Sequence, residues 1–138
     1  MADLDNFKQR NDAFGHAAGD AVLSRIGRYL GESVRGGDIA CRFGGEEFVL
    51  ILPKASVDDT QRRAEALWEG IKVLQTDEPA RLFPPATMSV GVAVYPEHGT
   101  SGGQLGLAAD SAMYRAKTQG RDQVGVASGQ EGRALEVG

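Results

Sequence analysis

Residues 39–52 read Ile39-Ala40-Cys41-Arg42-Phe43-Gly44-Gly45-Glu46-Glu47-Phe48-Val49-Leu50-Ile51-Leu52, and the fold turns on how this stretch is read. Ile39, Cys41 and Phe43 alternate with Ala40 and Arg42, the period of a half-buried strand. Gly44-Gly45 is a tight-turn signal. Phe48 to Leu52 is a short apolar run closed by Pro53, the pattern of a central strand. The stretch therefore predicts a β-hairpin with Gly44-Gly45-Glu46-Glu47 at its tip.

Toward the N-terminus, Gly36-Gly37 ends a helix predicted over about His16 to Val34. Val22, Ile26, Leu30 and Val34, with Leu23 beside them, form its apolar stripe. Asn6 to Phe14 reads as a short helical segment stopped by Gly15, and Met1 to Asp5 reads as the end of a strand. Toward the C-terminus, Ser56-Val57-Asp58-Asp59 is a capping box for a helix burying Ala64, Leu67, Ile71 and Leu74. Gln75 to Ala86 carries three prolines and reads as a loop. Thr87 to Tyr95 alternates as a strand, with Met88, Val90, Val92 and Val94 on one face. Pro96 to Gly103 is a loop, and Ser101 caps a helix to about Gln119 that turns Leu105, Ala109, Ala112 and Ala116 inward. Gly120 ends that helix, and Gln123 to Val126 is a last strand. The order β-α-β-β-α-β-α-β predicts an α/β (α+β) domain. Its architecture is a ferredoxin-like sandwich, a central mixed antiparallel sheet flanked by helices. The domain is expected over residues 1–127, with 128–138 a frayed, Gly-rich tail.

A chain of 138 residues suits one domain with a real core. A net charge of -4 argues against nucleic acid or an anionic membrane as partner. The lone Cys41 excludes an intramolecular disulfide and is expected as a small buried hydrophobe. No signal peptide is recognisable, and no run approaches the ~20 apolar residues of a membrane span. A reducing, cytoplasmic setting is expected. Trp68 and Met113 are expected to pack, and His98 to lie in a loop.

Three features could carry chemistry. Asp3-Leu4-Asp5 places carboxylates at a strand end, where Mg²⁺ can be held by one or two of them plus substrate phosphates. Gly44-Gly45 strips side chains from a turn so that a ligand can approach the backbone, with Glu46 beside it as a second metal ligand. Lys117 and Arg121 lie at i and i+4 on one helix face, where they could grip phosphates. Each has a simpler reading alone: a common strand-end Asp, a plain hairpin with solvated glutamates, and cations favoured at a helix C-terminus.

Taken together, Asp3-Leu4-Asp5-Asn6-Phe7-Lys8, Asn11-Asp12, Phe14-Gly15-His16, Gly19-Asp20, Arg42 to Phe48, Ser89-Val90-Gly91-Val92 and Ala116 to Arg121 match in order and spacing. This series resembles the GGDEF family of diguanylate cyclases, in its GGEEF variant, from roughly Ala2 to Val126. The resemblance implies a nucleotide-cyclase-like fold. It implies condensation of two GTP into cyclic di-GMP with release of pyrophosphate, by two domains facing each other as an antiparallel homodimer. It implies two Mg²⁺ per active site, for which Mn²⁺ can substitute. Asp3 and Glu46 would then be metal ligands, with the Leu4 carbonyl as a third. Glu46 would help deprotonate the 3′-hydroxyl, with Glu47 beside it. Asn11 and Asp20 would read guanine, and His16 would lie in the same pocket. Phe7 and Lys8 would meet phosphates through backbone N–H groups, Lys8 also supplying catalytic charge. Gly44 and Gly45 would border the substrate, and Lys117 and Arg121 would hold its phosphates.

Arg35 and Asp38 match the family's RxxD inhibitory site, where product binds away from catalysis. Many members complete that site with an arginine on the next helix; the matching position here is Ala66, with Arg62 and Arg63 one turn earlier. Family domains also begin with a helix bearing a D-x-L-T-G-L-x-N-R-like motif and a full first strand, neither of which precedes Met1. Exposed core near Asp3 is expected from this, along with an N-terminal sensory or regulatory domain in the parent protein. The alternatives to an active enzyme are a catalytically idle cyclic di-GMP receptor and an inactive truncated fragment.

Overall fold

In the computed structural model, residues 1–76 and 85–129 are described. Nine elements follow in order: β1 (Ala2–Leu4), α1 (Phe7–Phe14), α2 (His16–Ser33), β2 (Ile39–Arg42), β3 (Glu47–Ile51), α3 (Val57–Thr76), β4 (Met88–Val92), α4 (Gly102–Thr118) and β5 (Gln123–Val126). The five strands make one sheet, β2-β3-β1-β4-β5. β1 is central and antiparallel to both neighbours, with Ala2 opposite Phe48 and Val90, and Asp3 opposite Glu47 and Ser89. β5 lies parallel to β4. This is the expected α/β sandwich.

Side-chain alternation assigns the two faces of the sheet. Ala2, Leu4, Phe48 and Met88 join Leu23, Ile26 and Leu30 of α2 and Ile71 of α3 in the main core. Trp68 packs there and donates its indole N–H to the Met88 carbonyl at 3.2 Å. Asp3, Ser89 and Gly91 point to the other face, against α4. Gly91 is required there, since a Cβ would stand 2.0 Å from the Ala109 carbonyl oxygen. Small residues on α4, with Ala108, Ala109, Ala112 and Ala116 all buried, allow this close approach. Met113 is buried as expected, and His98, in its loop, is buried too, its Nδ1 accepting the Val94 N–H at 2.8 Å.

Caps fall where the sequence places them. Ser56 Oγ accepts the Asp59 N–H at 3.1 Å, and Ser101 Oγ accepts the Gln104 N–H at 3.1 Å. Gly15 takes a φ of 91° between α1 and α2.

Three expectations need correction. Cys41 is exposed rather than buried. Ile39, Phe43 and Ile51, on the same face of the hairpin, are exposed as well. Alternation identified that face correctly, but α4 covers β4 and β5 and does not reach β2. β3 is an interior strand, as expected, paired to β2 on one side and β1 on the other, with β1 at the centre of the sheet. Helix α3 runs on to Thr76, past the expected break at Gln75, because the first proline comes only at position 79. Most of the expected tail lies outside the described residues. Beside Met1, an apolar groove of about 530 Å³ opens between β3 and β4, lined by Val49, Ile51, Val92, Leu105 and Ala109 among others.

Candidate active site

Asp3 stands at the middle of the sheet, and its side chain is almost fully buried. One carboxylate oxygen, Oδ2, pairs with Lys117 Nζ from α4. The other, Oδ1, is buried and accepts no hydrogen bond within the protein. A buried carboxylate oxygen without a donor is costly unless something else satisfies it. Glu47 lies directly across from Asp3 on β3. Burial raises the Glu47 carboxyl above its ordinary range, and the neighbouring charges of Asp3, Asp110 and Glu46 add to this, while Lys117 opposes it. Glu46 is at the hairpin turn, where its carbonyl accepts the Leu4 N–H at 3.2 Å. Arg42 bends back over the turn and donates to the Gly44 carbonyl at 3.2 Å and to that of Gly45 at 3.0 Å. Neither turn glycine has positive φ, and a Cβ on Gly45 would meet nothing within 4 Å. Their service is therefore open space at the tip rather than a backbone conformation.

A second set of residues lies on α1 and α2. Asn6, at a φ of 54°, turns the chain from β1 into α1. The first backbone bond of α1 runs from Arg10 N–H to the Asn6 carbonyl at 3.0 Å. The N–H groups of Phe7 and Lys8 precede it and point out of the helix start, as helix geometry requires. Asn11 Oδ1 is buried without a hydrogen-bond partner. It is seated against Gly19 of α2, whose absent side chain makes the room: a Cβ there would fall 1.9 Å from that oxygen. Asn11 Nδ2 lies 3.5 Å from His16 Nδ1. Asp20 is exposed one residue beyond Gly19.

After α4 the chain makes a strained turn. Gly120, Arg121 and Asp122 all have positive φ, and Arg121 is exposed. Asp122 is held by Lys72 of α3 at 2.8 Å.

The Arg35–Asp38 pair closes the turn between α2 and β2, where Asp38 accepts the Arg35 N–H at 2.8 Å. Asp38 is also bound by Arg63 of α3 at 2.6 Å. Hydrogen bonding to Arg63, then to the Arg35 backbone, holds the Asp38 carboxyl below the usual carboxylate range. Arg63 thus reaches Asp38 from the helix on which position 66 is Ala, while Arg62 pairs with Asp59 on its own helix.

Sequence reasoning did not single out the roles of Arg42, Asp110, Arg63 or Asp5. The sequence offers Asp5 beside Asp3 as a metal carboxylate, but both its oxygens accept protein donors, the Thr87 and Ser89 hydroxyls and the Asp122 N–H. Among the described residues, no three His, Cys, Asp or Glu side chains converge as a metal cage. Mg²⁺ does not need one, since substrate phosphates and water complete its shell. None of the described helices is long and apolar enough to cross a membrane.

The fold and the acids at the end of its central strand define a nucleotide-cyclase-like α/β domain. A family profile described as "Diguanylate cyclase, GGDEF domain" matches residues 1–123, and the chain belongs to that family. It is 41% identical over 124 residues to diguanylate cyclase DgcM of Escherichia coli, covering 90% of this chain and 29% of DgcM. The GGDEF domain of TpbB (YfiN) from Pseudomonas aeruginosa superposes with a TM-score of 0.82 at 37% identity, covering 98% of this chain and 78% of that one. The GGDEF domain of DgcB from Caulobacter crescentus, solved in complex with c-di-GMP, gives a TM-score of 0.80 at 29% identity over 91% of this chain and 74% of that one. The chain spans about a third of the length of the curated relatives it matches.

Proposed function

We propose that this domain, residues 1–127, condenses two GTP molecules into cyclic di-GMP and pyrophosphate, two copies facing each other with one GTP each. The observation that carries the reading is Asp3, buried at the end of the central strand with one oxygen on Lys117 and the other unpartnered. A buried hard oxygen without a donor is one that a divalent cation would satisfy. Asp3, the Leu4 carbonyl and Glu46 would hold Mg²⁺ or Mn²⁺. Such an ion, when bound, lowers the pKa of the attacking hydroxyl and neutralises charge on the α-phosphate.

The protein's own groups do the rest. Glu46 takes the proton of the 3′-hydroxyl. That oxygen bonds to the α-phosphorus of the GTP opposite, and the bond to the β-phosphate oxygen breaks, so pyrophosphate leaves with its electron pair. Lys117, Arg121, Lys8 and the N–H groups of Phe7 and Lys8 hold the phosphates and compensate the negative charge that shifts onto the leaving group. Asp20 accepts from guanine N1–H and N2–H, and Asn11, with His16 beside it, donates from its amide NH₂ to O6 or N3; adenine lacks the N1–H and N2–H donors that Asp20 needs. At Arg35 and Asp38, Arg can pair bidentately with phosphate and stack on guanine, and Arg63 completes a product-inhibition site. The GTP supply places the domain in the cytoplasm, under an N-terminal sensory or regulatory domain of the parent protein.

The test is turnover of GTP against ATP with Mg²⁺. GTP alone is expected to be consumed, and Glu46→Ala to abolish consumption. Micromolar binding of cyclic di-GMP without any turnover would replace the enzyme reading with that of a receptor.

A further inference from the structure

Asp5 is 6% exposed, yet it carries a carboxylate into the interior two residues after Asp3. It is fully engaged. Oδ2 accepts the Thr87 hydroxyl at 2.7 Å and the Asp122 N–H at 3.0 Å, and Oδ1 accepts the Ser89 hydroxyl at 2.6 Å. Thr87 immediately precedes β4, Ser89 lies within it, fully buried, and Asp122 lies in the turn after α4. One side chain therefore ties the end of β1 to β4 and to a turn more than a hundred residues away.

That turn needs to be held. Arg121 and Asp122 have φ values of 63° and 50°, the left-handed region that L residues other than Gly enter reluctantly. Consecutive left-handed residues persist only where the surroundings over-determine them. Two anchors reach Asp122. One is the Asp5 carboxylate on its backbone N–H; the other is Lys72, which lies over the Trp68 ring at 4.0 Å and pairs with the Asp122 side chain. Arg121 immediately precedes the residue so fixed. On the other side, Lys117, one helical turn earlier, reaches Asp3.

We propose that Asp5 is a positioning residue: it fixes the strained turn that aims Arg121, and so sets the distance between the phosphate-holding group and the Asp3 centre. The proposal rests on the diguanylate cyclase reading for what Arg121 holds, but not for the mechanical link. It also speaks against Asp5 as a metal ligand, because both of its oxygens already accept from protein donors.

Two measurements on the intact chain test it. The first is amide hydrogen exchange without ligand. In Asp5→Ala the Asp122 amide is expected to exchange at least about tenfold faster, while amides at the β2–β3 pairing keep their protection. The second is a double-mutant cycle on GTP turnover. Asp5→Ala is expected to raise KM roughly tenfold with a smaller change in kcat. In an Arg121→Ala background it is expected to add little, because both changes act through one contact. Asp5→Asn is expected to restore the parent behaviour. Its oxygen can serve Thr87 and Asp122 while its NH₂ donates to Ser89 Oγ, whose hydroxyl can rotate. If Asp5→Ala does not fold, Asp5→Ser, too short to span all three donors, takes its place. Unchanged exchange at Asp122, or fully additive effects with Arg121→Ala, would overturn the proposal. A parent chain that does not turn over GTP would sink the proposed function only, and the exchange result would still decide this one.

Discussion

At the scale of single residues, Asp3 is the most exacting position. Asp3→Asn keeps its size but removes the charge, and its amide must place an NH₂ either toward Lys117 or where the unpartnered oxygen stands. We expect turnover to fall by about 10²-fold or more, with a circular dichroism spectrum like the parent's; retained activity would remove Asp3 from the site. Asp38 gives a pH test. Its pKa is lowered in the fold by Arg63 and the Arg35 N–H. Its pairing thus contributes stability that is fully present above the ordinary carboxylate pKa of about 3.9 and is lost as pH falls through the depressed folded value. Arg63→Ala is accordingly expected to lower the melting temperature modestly at pH 7, with the difference from the parent shrinking below about pH 4. A difference independent of pH would show that Arg63 acts by packing instead. The candidate site was legible in the sequence to the extent that its residues lie in short motifs. Asp3, Lys117 and Arg121 stand out by position but have simpler readings alone, and Asn11 and Asp20 stand out only through the resemblance to the family. Asp5 and Arg63 could not be assigned their partners, because those partners are 82 and 25 residues away and nothing local encodes the meeting.

At the scale of elements, the close contact of β4 with α4 depends on Gly91. A methyl group there would strike the backbone of Ala109 and Met113, which cannot swing aside as a side chain can. Gly91→Ala is expected to destabilise the domain by about 3 kcal/mol, read as a lower denaturation midpoint at unchanged slope. A loss under about 1 kcal/mol would mean that α4 slides freely on the sheet. Helix caps at Ser56 and Ser101, the stop at Gly15 and the hairpin around Gly44-Gly45 were all readable, since caps and turns are written within a few residues. The exposure of Ile39, Cys41 and Phe43 was not. Period two says which residues share a face, and only the placement of α4 over β4 and β5 says whether that face is covered. The same limit applies to the central place of β1: with three residues it carries the weakest pattern of all the strands.

At the scale of the whole molecule, the sheet brings β1, the hairpin and α4 together at one end, so that Asp3, Glu47 and Lys117 meet there from positions far apart in the chain. This end holds one nucleotide in the proposed reaction, and the bond to be made joins nucleotides held by two copies. The rate should therefore depend on how often two domains meet, a property of no single element. The direct measurement is initial pyrophosphate and cyclic di-GMP release from the purified chain with GTP and Mg²⁺ over a range of protein concentrations. The account predicts that both products appear together and that the rate rises as the square of protein concentration while the domain is mostly monomeric. A chain that binds GTP yet releases neither product at any concentration would contradict it.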